Sequence, residues 1–243
     1  VFRHLVGALE RHASFPEVER VRLGGETVRW SDLRLFKSRF PNARLLNGYS
    51  CSEACGNVCC QDLTDCEPAD NQPPPAGPPV SGREIVIVDG EGRSLPAGTR
   101  GRIVIRSSHL ADGYWQGGPS SGSSFRQGPG GPEFWTEDLG YLSGEGVLYH
   151  CGRTNRETKC MGRWVRLDEA EEALCGEEEI DEAQCLLVDD GSLVAYLGTK
   201  ESFSRSRRRE LRARLAAALG ENLPWNFVFL DQLPRRDNHK IDT

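Results

Sequence analysis

Two short strings in this sequence place aromatic, hydroxyl and acidic side chains close enough together to handle a nucleotide. In Asn47-Gly48-Tyr49-Ser50-Cys51-Ser52-Glu53 an apolar strand around Leu45-Leu46 runs into a loop that carries all three types. Loops at the carboxyl ends of strands are where open α/β sheets bind ligands. There Tyr49 can stack on a base, Ser52 can donate to a phosphate oxygen and Glu53 can hold a magnesium ion. Read alone, the string also describes a plain loop. In Phe134-Trp135-Thr136-Glu137-Asp138-Leu139-Gly140 an acidic pair follows two aromatics. An Asp at position 138 that faces a cleft accepts from both hydroxyls of a ribose, and the local alternative is an Asx turn.

Other strings invite a function and resist it. Residues 116–131 are rich in Gly, Ser and Pro, but Ser120-Ser121-Gly122-Ser123-Ser124 follows no strand and has no nearby Lys to meet a phosphate. A flexible surface loop is the expectation. Nine cysteines are an odd number, and Cys51, Cys55, Cys59, Cys60 and Cys66 crowd together without a neighbouring His or a second ligand pair. They read as reduced thiols of a cytoplasmic protein rather than a zinc site or a disulfide framework. Arg205, Arg207, Arg208, Arg209, Arg212 and Arg214 share a stretch whose apolar side is Leu211, Leu215 and Leu219. This is a solvated helix face or a dock for an acidic carrier protein.

The elements that must position these residues follow from periodicity and punctuation. Residues 1–10 read as the end of a helix, 18–23 as a strand stopped by Gly24-Gly25, and Leu33, Phe36 and Phe40 as a helical face. The strand at Leu45-Leu46 should end at Asn47-Gly48. Residues 71–82 hold five prolines and read as a stiff linker or surface excursion between subdomains. An antiparallel pair is expected at 84–88 and 102–106, with turn residues between. Beyond Gly152 a helix capped by Asp168, strands at 184–188 and 193–197, a helix over 204–219 and a strand at 227–230 make a second unit. The boundary is placed between 1–150 and 151–243, and the fold class is α/β followed by α+β. With 243 residues, 30 basic against 36 acidic, and no apolar run near the roughly 18 residues of a membrane helix, neither nucleic acid nor membrane is an expected partner. The chain opens at Val1 inside an amphipathic pattern, which suggests a piece of a longer protein.

The order of the strings carries more than any one of them. Gly24-Gly25-Glu26, residues 47–53, Gly101 to Ile105, Gly113-Tyr114-Trp115, residues 134–138, Gly152-Arg153 with Lys159, and Asn238-His239-Lys240-Ile241-Asp242 follow one another across nearly the whole chain. This series resembles the adenylate-forming enzymes, most nearly the adenylation domains of nonribosomal peptide synthetases. Their motifs run Asn-x-Tyr-Gly-x-Thr-Glu, Gly-Glu-Leu, Gly-Tyr-Trp, Tyr-Arg-Thr-Gly-Asp, Gly-Arg-x-Asp-x-Gln-Val-Lys and Asn-Gly-Lys-Ile-Asp.

The resemblance implies the closing portion of a large nucleotide-binding domain followed by a small mobile lid. It implies condensation of a carboxylic acid, most simply an amino acid, with ATP to acyl-AMP and pyrophosphate, then transfer to the thiol of a phosphopantetheinyl carrier protein or CoA. By the same resemblance Gly25, Glu26 and Tyr49 flank adenine, Ser52 meets the α-phosphate, Glu53 binds Mg2+, Asp138 and Arg153 hold the ribose, Asn155 is the hinge and Lys240 is catalytic. Arg22, Gly24, Gly48, Gly56 and Asn57 line what remains of the acid pocket. The phosphate loop of the resemblance is not among these residues. Ser50, Ser52, Glu137, Asn155 and His239 depart from the motifs, where a Gly, a Thr, a Gly, an Asp and a Gly would stand, and residues 223–227 are shorter than the matching segment. The alternatives are an acyl- or aryl-CoA ligase piece and a catalytically inactive nucleotide-binding module.

Overall fold

The computed structural model describes residues 2–9, 13–68, 72–115, 124–177, 179–199, 204–219, 223–235 and 241. It divides into two compact units, residues 2–154 and 155–243.

The first unit begins with α/β alternation: α1 (Phe2–Ala8), β1 (Arg20–Gly24), α2 (Trp30–Arg39) and β2 (Arg44–Cys51), followed by β3 (Gly56–Asp62). β1 and β2 are parallel and β2 and β3 antiparallel, in the order β1-β2-β3. Leu33 and Phe36 of α2, with Phe40 just beyond it, recur at helical spacing and bury against Leu23, Leu45 and Leu63. Asp32 is buried among them yet satisfied, by two 2.7 Å bonds from Arg3 and one of 2.8 Å from the Arg29 amide. That polar tie fixes the α2 entry to the first helix.

A six-stranded sheet completes this unit: β4 (Pro75–Gly77), β5 (Glu84–Val88), β6 (Gly101–Arg106), β7 (Phe125–Gly128), β8 (Gly131–Leu142) and β9 (Leu148–Arg153). The order is β4-β9-β8-β6-β5, with β7 also on β8. The expected 84–88 and 102–106 pair is present, because apolar alternation buries Ile85, Ile87, Ile103 and Ile105 on one face.

Three expectations are corrected here. The proline segment is no linker, since Pro75–Gly77 forms an edge strand on β9, the place where a sheet tolerates proline. Gly77 has φ +98°, and a Cβ there would run into the Cys60 carbonyl, so only glycine admits this approach. β2 does not stop at Asn47-Gly48 but continues to Cys51, because Gly48 pairs with Gly24 on one side and Cys60 on the other. Of the expected loop, 116–123 lies outside the described residues, while Phe125–Gly128 is a strand on β8.

A short helical turn at Thr154–Arg156 leads into the second unit, which continues with the hairpin β10 (Glu157–Cys160) and β11 (Arg163–Arg166). Then come α3 (Leu167–Cys175), β12 (Glu182–Leu187), β13 (Leu193–Gly198), α4 (Arg205–Leu219) and β14 (Trp225–Leu230), with sheet order β12-β13-β14. The α4 crossover makes β13 and β14 parallel, and Leu174, Leu211, Leu215, Cys185, Ala195 and Phe227 fill the core. Asp168 stands in the first turn of α3 and not at its cap, which is Arg166. Its carboxylate is taken by Arg156 at 2.9 Å. β9 runs through the expected 150/151 boundary and ends at Arg153, just before the division between the units.

Candidate functional site

β1 and β2 are parallel, so Gly24-Gly25-Glu26 and the Tyr49 to Glu53 segment leave the sheet at the same carboxyl end. Two bulges then aim the side chains. One falls between Tyr49 and Ser50 in the β2–β3 pairing, the other between Asp138 and Gly140 in the β8–β9 pairing. The second is braced by Thr136, which is buried, donates to the Ile103 carbonyl at 2.8 Å and accepts from the Asp138 amide at 3.0 Å.

The bulged strands bring Tyr49, Asp138 and Arg153 together. Tyr49 Oη donates to Asp138 Oδ2 at 2.7 Å, and Arg153 Nε lies 3.4 Å from Oδ1. A fourth residue joins them that the sequence reading missed: His150, whose Nε2 is 3.7 Å from Asp138 Oδ1 and whose ring is 5.7 Å from that of Tyr49. The signal was the turn at Ser143 to Val147, since folding a hairpin about it sets His150 opposite Gly140, two residues from Asp138. Burial alone would raise the Asp138 carboxyl, but His150, the Tyr49 hydroxyl and the Arg153 charge outweigh it and hold the group below the ordinary carboxylate range. Burial and the neighbouring Asp138 charge push the Tyr49 phenol well above its usual value, so it stays a donor. The result is an ionised, part-open carboxylate with one tight partner and two loose ones, suited to accepting from a pair of hydroxyls.

Glu137 adds a complication. It reaches Arg153 Nη2 at 3.1 Å, so the guanidinium is shared between two carboxylates.

Ser52 and Glu53 lie on a single helical turn, Ser52–Ala54, that follows β2. Glu53 Oε1 accepts from the Tyr114 hydroxyl at 2.5 Å, and its neighbour Ser52 is exposed. Among the described residues no group of three or more His, Cys, Asp or Glu side chains is placed to hold an ion. This donor set therefore fits magnesium only as an ion shared with substrate phosphates, which needs one or two protein carboxylates. Cys51 beside it is a thiol pushed up to about 11 by burial, and Cys59 is pushed to about 12 for the same reason, so neither is a poised nucleophile.

The acid-pocket candidates partly cohere. Arg22 donates to Asn57 Oδ1 and lies over Gly48, where a Cβ would come within 2.9 Å of its Nη2. Gly24 packs on the Gly48 carbonyl, and Gly56 stands at the β2–β3 turn opposite Cys51. Gly25 has φ +81°, and Glu26 Oε2 is 4.0 Å from Arg3. Asn155 begins the second unit, and Lys240 lies outside the described residues. On α4, Arg207 and Arg214 are engaged by Glu177, Glu179 and Glu210, while Arg208 and Arg212 lie over Phe229. Most of that basic face is matched within the unit.

The family described as AMP-binding enzyme matches residues 1–115. A D-alanine–D-alanyl carrier protein ligase of Lactiplantibacillus plantarum is 24% identical over 241 residues, covering 94% of this chain and 47% of that protein. The ligase of the same name from Streptococcus pneumoniae is 26% identical, with 93% and 46% covered. Among solved structures, an anthranilate CoA ligase in complex with anthranoyl-AMP superposes with a TM-score of 0.79 at 23% identity, covering 98% of this chain and 45% of that one. The o-succinylbenzoate CoA synthetase of Bacillus subtilis with its acyl-adenylate gives 0.75 at 22% identity, with 98% and 48% covered. The fold is that of adenylate-forming ligases, as the motif order implies, and the chain spans about half the length of these relatives. Among the described residues no helix is long and apolar enough to cross a membrane.

Proposed function

We propose that this chain supplies the adenosine-holding and lid portions of an ATP-dependent ligase that activates a carboxylic acid as acyl-AMP with release of pyrophosphate. The observation that carries the reading is the convergence of Tyr49, His150 and Arg153 on the ionised Asp138 carboxylate across the bulged strands. The carrier-protein ligases it matches favour an amino acid as the acid and a carrier protein as the acceptor, and the motif resemblance adds a phosphopantetheinyl thiol as the accepting group and the cytoplasm as the place.

In this reading the acid's oxygen attacks the α-phosphorus of ATP and pyrophosphate leaves, a substitution in which positioning and charge neutralisation supply most of the rate. Asp138 accepts from the ribose hydroxyls, with Arg153 beside it. Tyr49 lends its ring to adenine while its hydroxyl fixes Asp138. Ser52 donates to an α-phosphate oxygen. Glu53 offers its second oxygen to magnesium, which when bound neutralises phosphate charge. Arg22, Gly24, Gly48, Gly56 and Asn57 bound the acid, with Gly25 and Glu26 at the adenine edge. Asn155 is the hinge. Lys240 meets the charge that develops at the reacting phosphate, a role that suits a compact ammonium on a long stem.

A second reading, an inactive nucleotide-binding module, is favoured by the Glu137–Arg153 pair, which diverts a ribose-holding guanidinium. Two measurements on the chain test both. Calorimetry should show one AMP bound per chain. Carboxylate-dependent ATP–pyrophosphate exchange should stay at background, because the phosphate loop of the resemblance is not among the motifs matched here. Failure to bind AMP overturns both readings, and exchange above background overturns the division of labour proposed for this chain.

A further inference from the structure

The Gly113-Tyr114-Trp115 string has been given no task so far, and its geometry supplies one. The segment after β6 is anchored at its base, where Arg83 donates to Ser107 Oγ at 2.8 Å and to the His109 carbonyl at 3.3 Å. It then crosses to the turn that carries Glu53 and grips that residue twice. The Ala111 amide donates to the Glu53 carbonyl at 2.8 Å, and the Tyr114 hydroxyl donates to Glu53 Oε1 at 2.5 Å. The Tyr114 ring stands edge-on to Phe125, 5.5 Å away at 72°, and Phe125 packs on the buried Phe134 at 4.9 Å. So the phenol that meets the carboxylate is itself aligned by the sheet.

We infer that Tyr114 is a positioning residue for Glu53: its hydroxyl fixes one carboxylate oxygen and so presents the other to a divalent cation carried in with nucleotide phosphates. The inference rests on the proposed metal role of Glu53. A glutamate side chain has three rotatable bonds, and fixing them costs conformational entropy. A charge-assisted hydrogen bond at one oxygen removes most of that freedom before the ion arrives. Cation affinity gained this way comes from preorganisation and not from an added ligand.

ATP is titrated into the chain by calorimetry in excess Mg2+ and again in EDTA, and the ratio of the two affinities is read together with Tm. Wild type should bind more tightly with Mg2+, and Glu53→Gln should abolish the difference. Tyr114→Phe keeps the ring against Phe125, so Tm and the EDTA affinity should be unchanged while the Mg2+ ratio falls by about five- to tenfold. A full ratio in Tyr114→Phe, with the ratio lost in Glu53→Gln, overturns the inference and leaves the Glu53 reading standing. A lowered Tm with an intact ratio assigns Tyr114 a purely structural role and overturns it as well. No ratio in wild type, or a ratio retained in Glu53→Gln, overturns the Glu53 reading and this inference with it.

Discussion

Glu171 of the second unit and Asp138 of the first are both carboxylates surrounded by partners, and the two are built differently. In the second unit Glu171 is buried and its Oε1 alone takes Arg156, Gln184 Nε2 at 2.9 Å and the Cys185 amide at 2.7 Å. In the first unit Asp138 has one bond of 2.7 Å and two approaches of 3.4 and 3.7 Å, and its side chain keeps 17% exposure. Short contacts in a closed site leave nothing to exchange. Such a group holds a fold together, here by tying the 154–156 turn to α3 and β12. Long contacts beside an opening can be traded for a ligand's hydroxyls at little cost, which is what a binding carboxylate needs.

The contrast predicts its largest effect at Glu171. Glu171→Ala leaves the part-buried Arg156 charge with Asp168 and the Cys185 carbonyl as its described partners, and should cost the second unit about 3–5 kcal/mol. Urea unfolding with hydrogen exchange across 155–243 checks this, and a loss below about 1 kcal/mol would make the two carboxylates alike. A smaller effect is expected in acid. The Asp138 carboxyl is held below its unfolded value, so its stabilising contribution is complete above that value and lost as pH falls through the folded one. Asp138→Asn should therefore flatten the acid limb of the stability curve below about pH 4 and leave its neutral to alkaline course parallel to wild type. An unchanged acid limb counts against the ionised site. The smallest effect is at Glu137. Both partners of the Glu137–Arg153 pair are about half exposed, so the pair contributes about 0–1 kcal/mol. Glu137→Gly should raise AMP affinity by no more than about fivefold by releasing the guanidinium, and a loss of affinity would place Glu137 on the ligand.

Much of this was legible beforehand, and what was not has physical causes. The 84–88 and 102–106 pair, α2 and α4 follow from apolar periodicity and turn residues, which are local signals. β4 was hidden because prolines argue against a strand and only its edge position permits it. The continuation of β2 through Asn47-Gly48 was hidden because that dipeptide reads as a turn until Gly24 and Cys60 are known to flank it. At the site the residue types offered Tyr49, Ser52, Glu53 and Asp138 beside the plain-loop and Asx-turn alternatives, and Arg153 entered only through the order of the motifs. His150 and the Tyr114 contact were missed because both arise across strands, one through a bulge and one through a segment that returns over the sheet. The Tyr114 contact leaves no pattern along the chain, and for His150 the signal was confined to the hairpin turn at Ser143 to Val147.

The claim that Asp138 is a binding carboxylate, and not a second Glu171, is tested most directly by comparing AMP with 2′,3′-dideoxy-AMP on wild type and Asp138→Ala. Hydrogen bonds to a charged acceptor contribute roughly 1.5–3 kcal/mol, so wild type should prefer AMP by about tenfold or more. Asp138→Ala should bind the two nucleotides equally, with its affinity for the dideoxy form close to that of wild type. A preference for AMP that survives in Asp138→Ala, or one that is absent from wild type, would contradict the assignment.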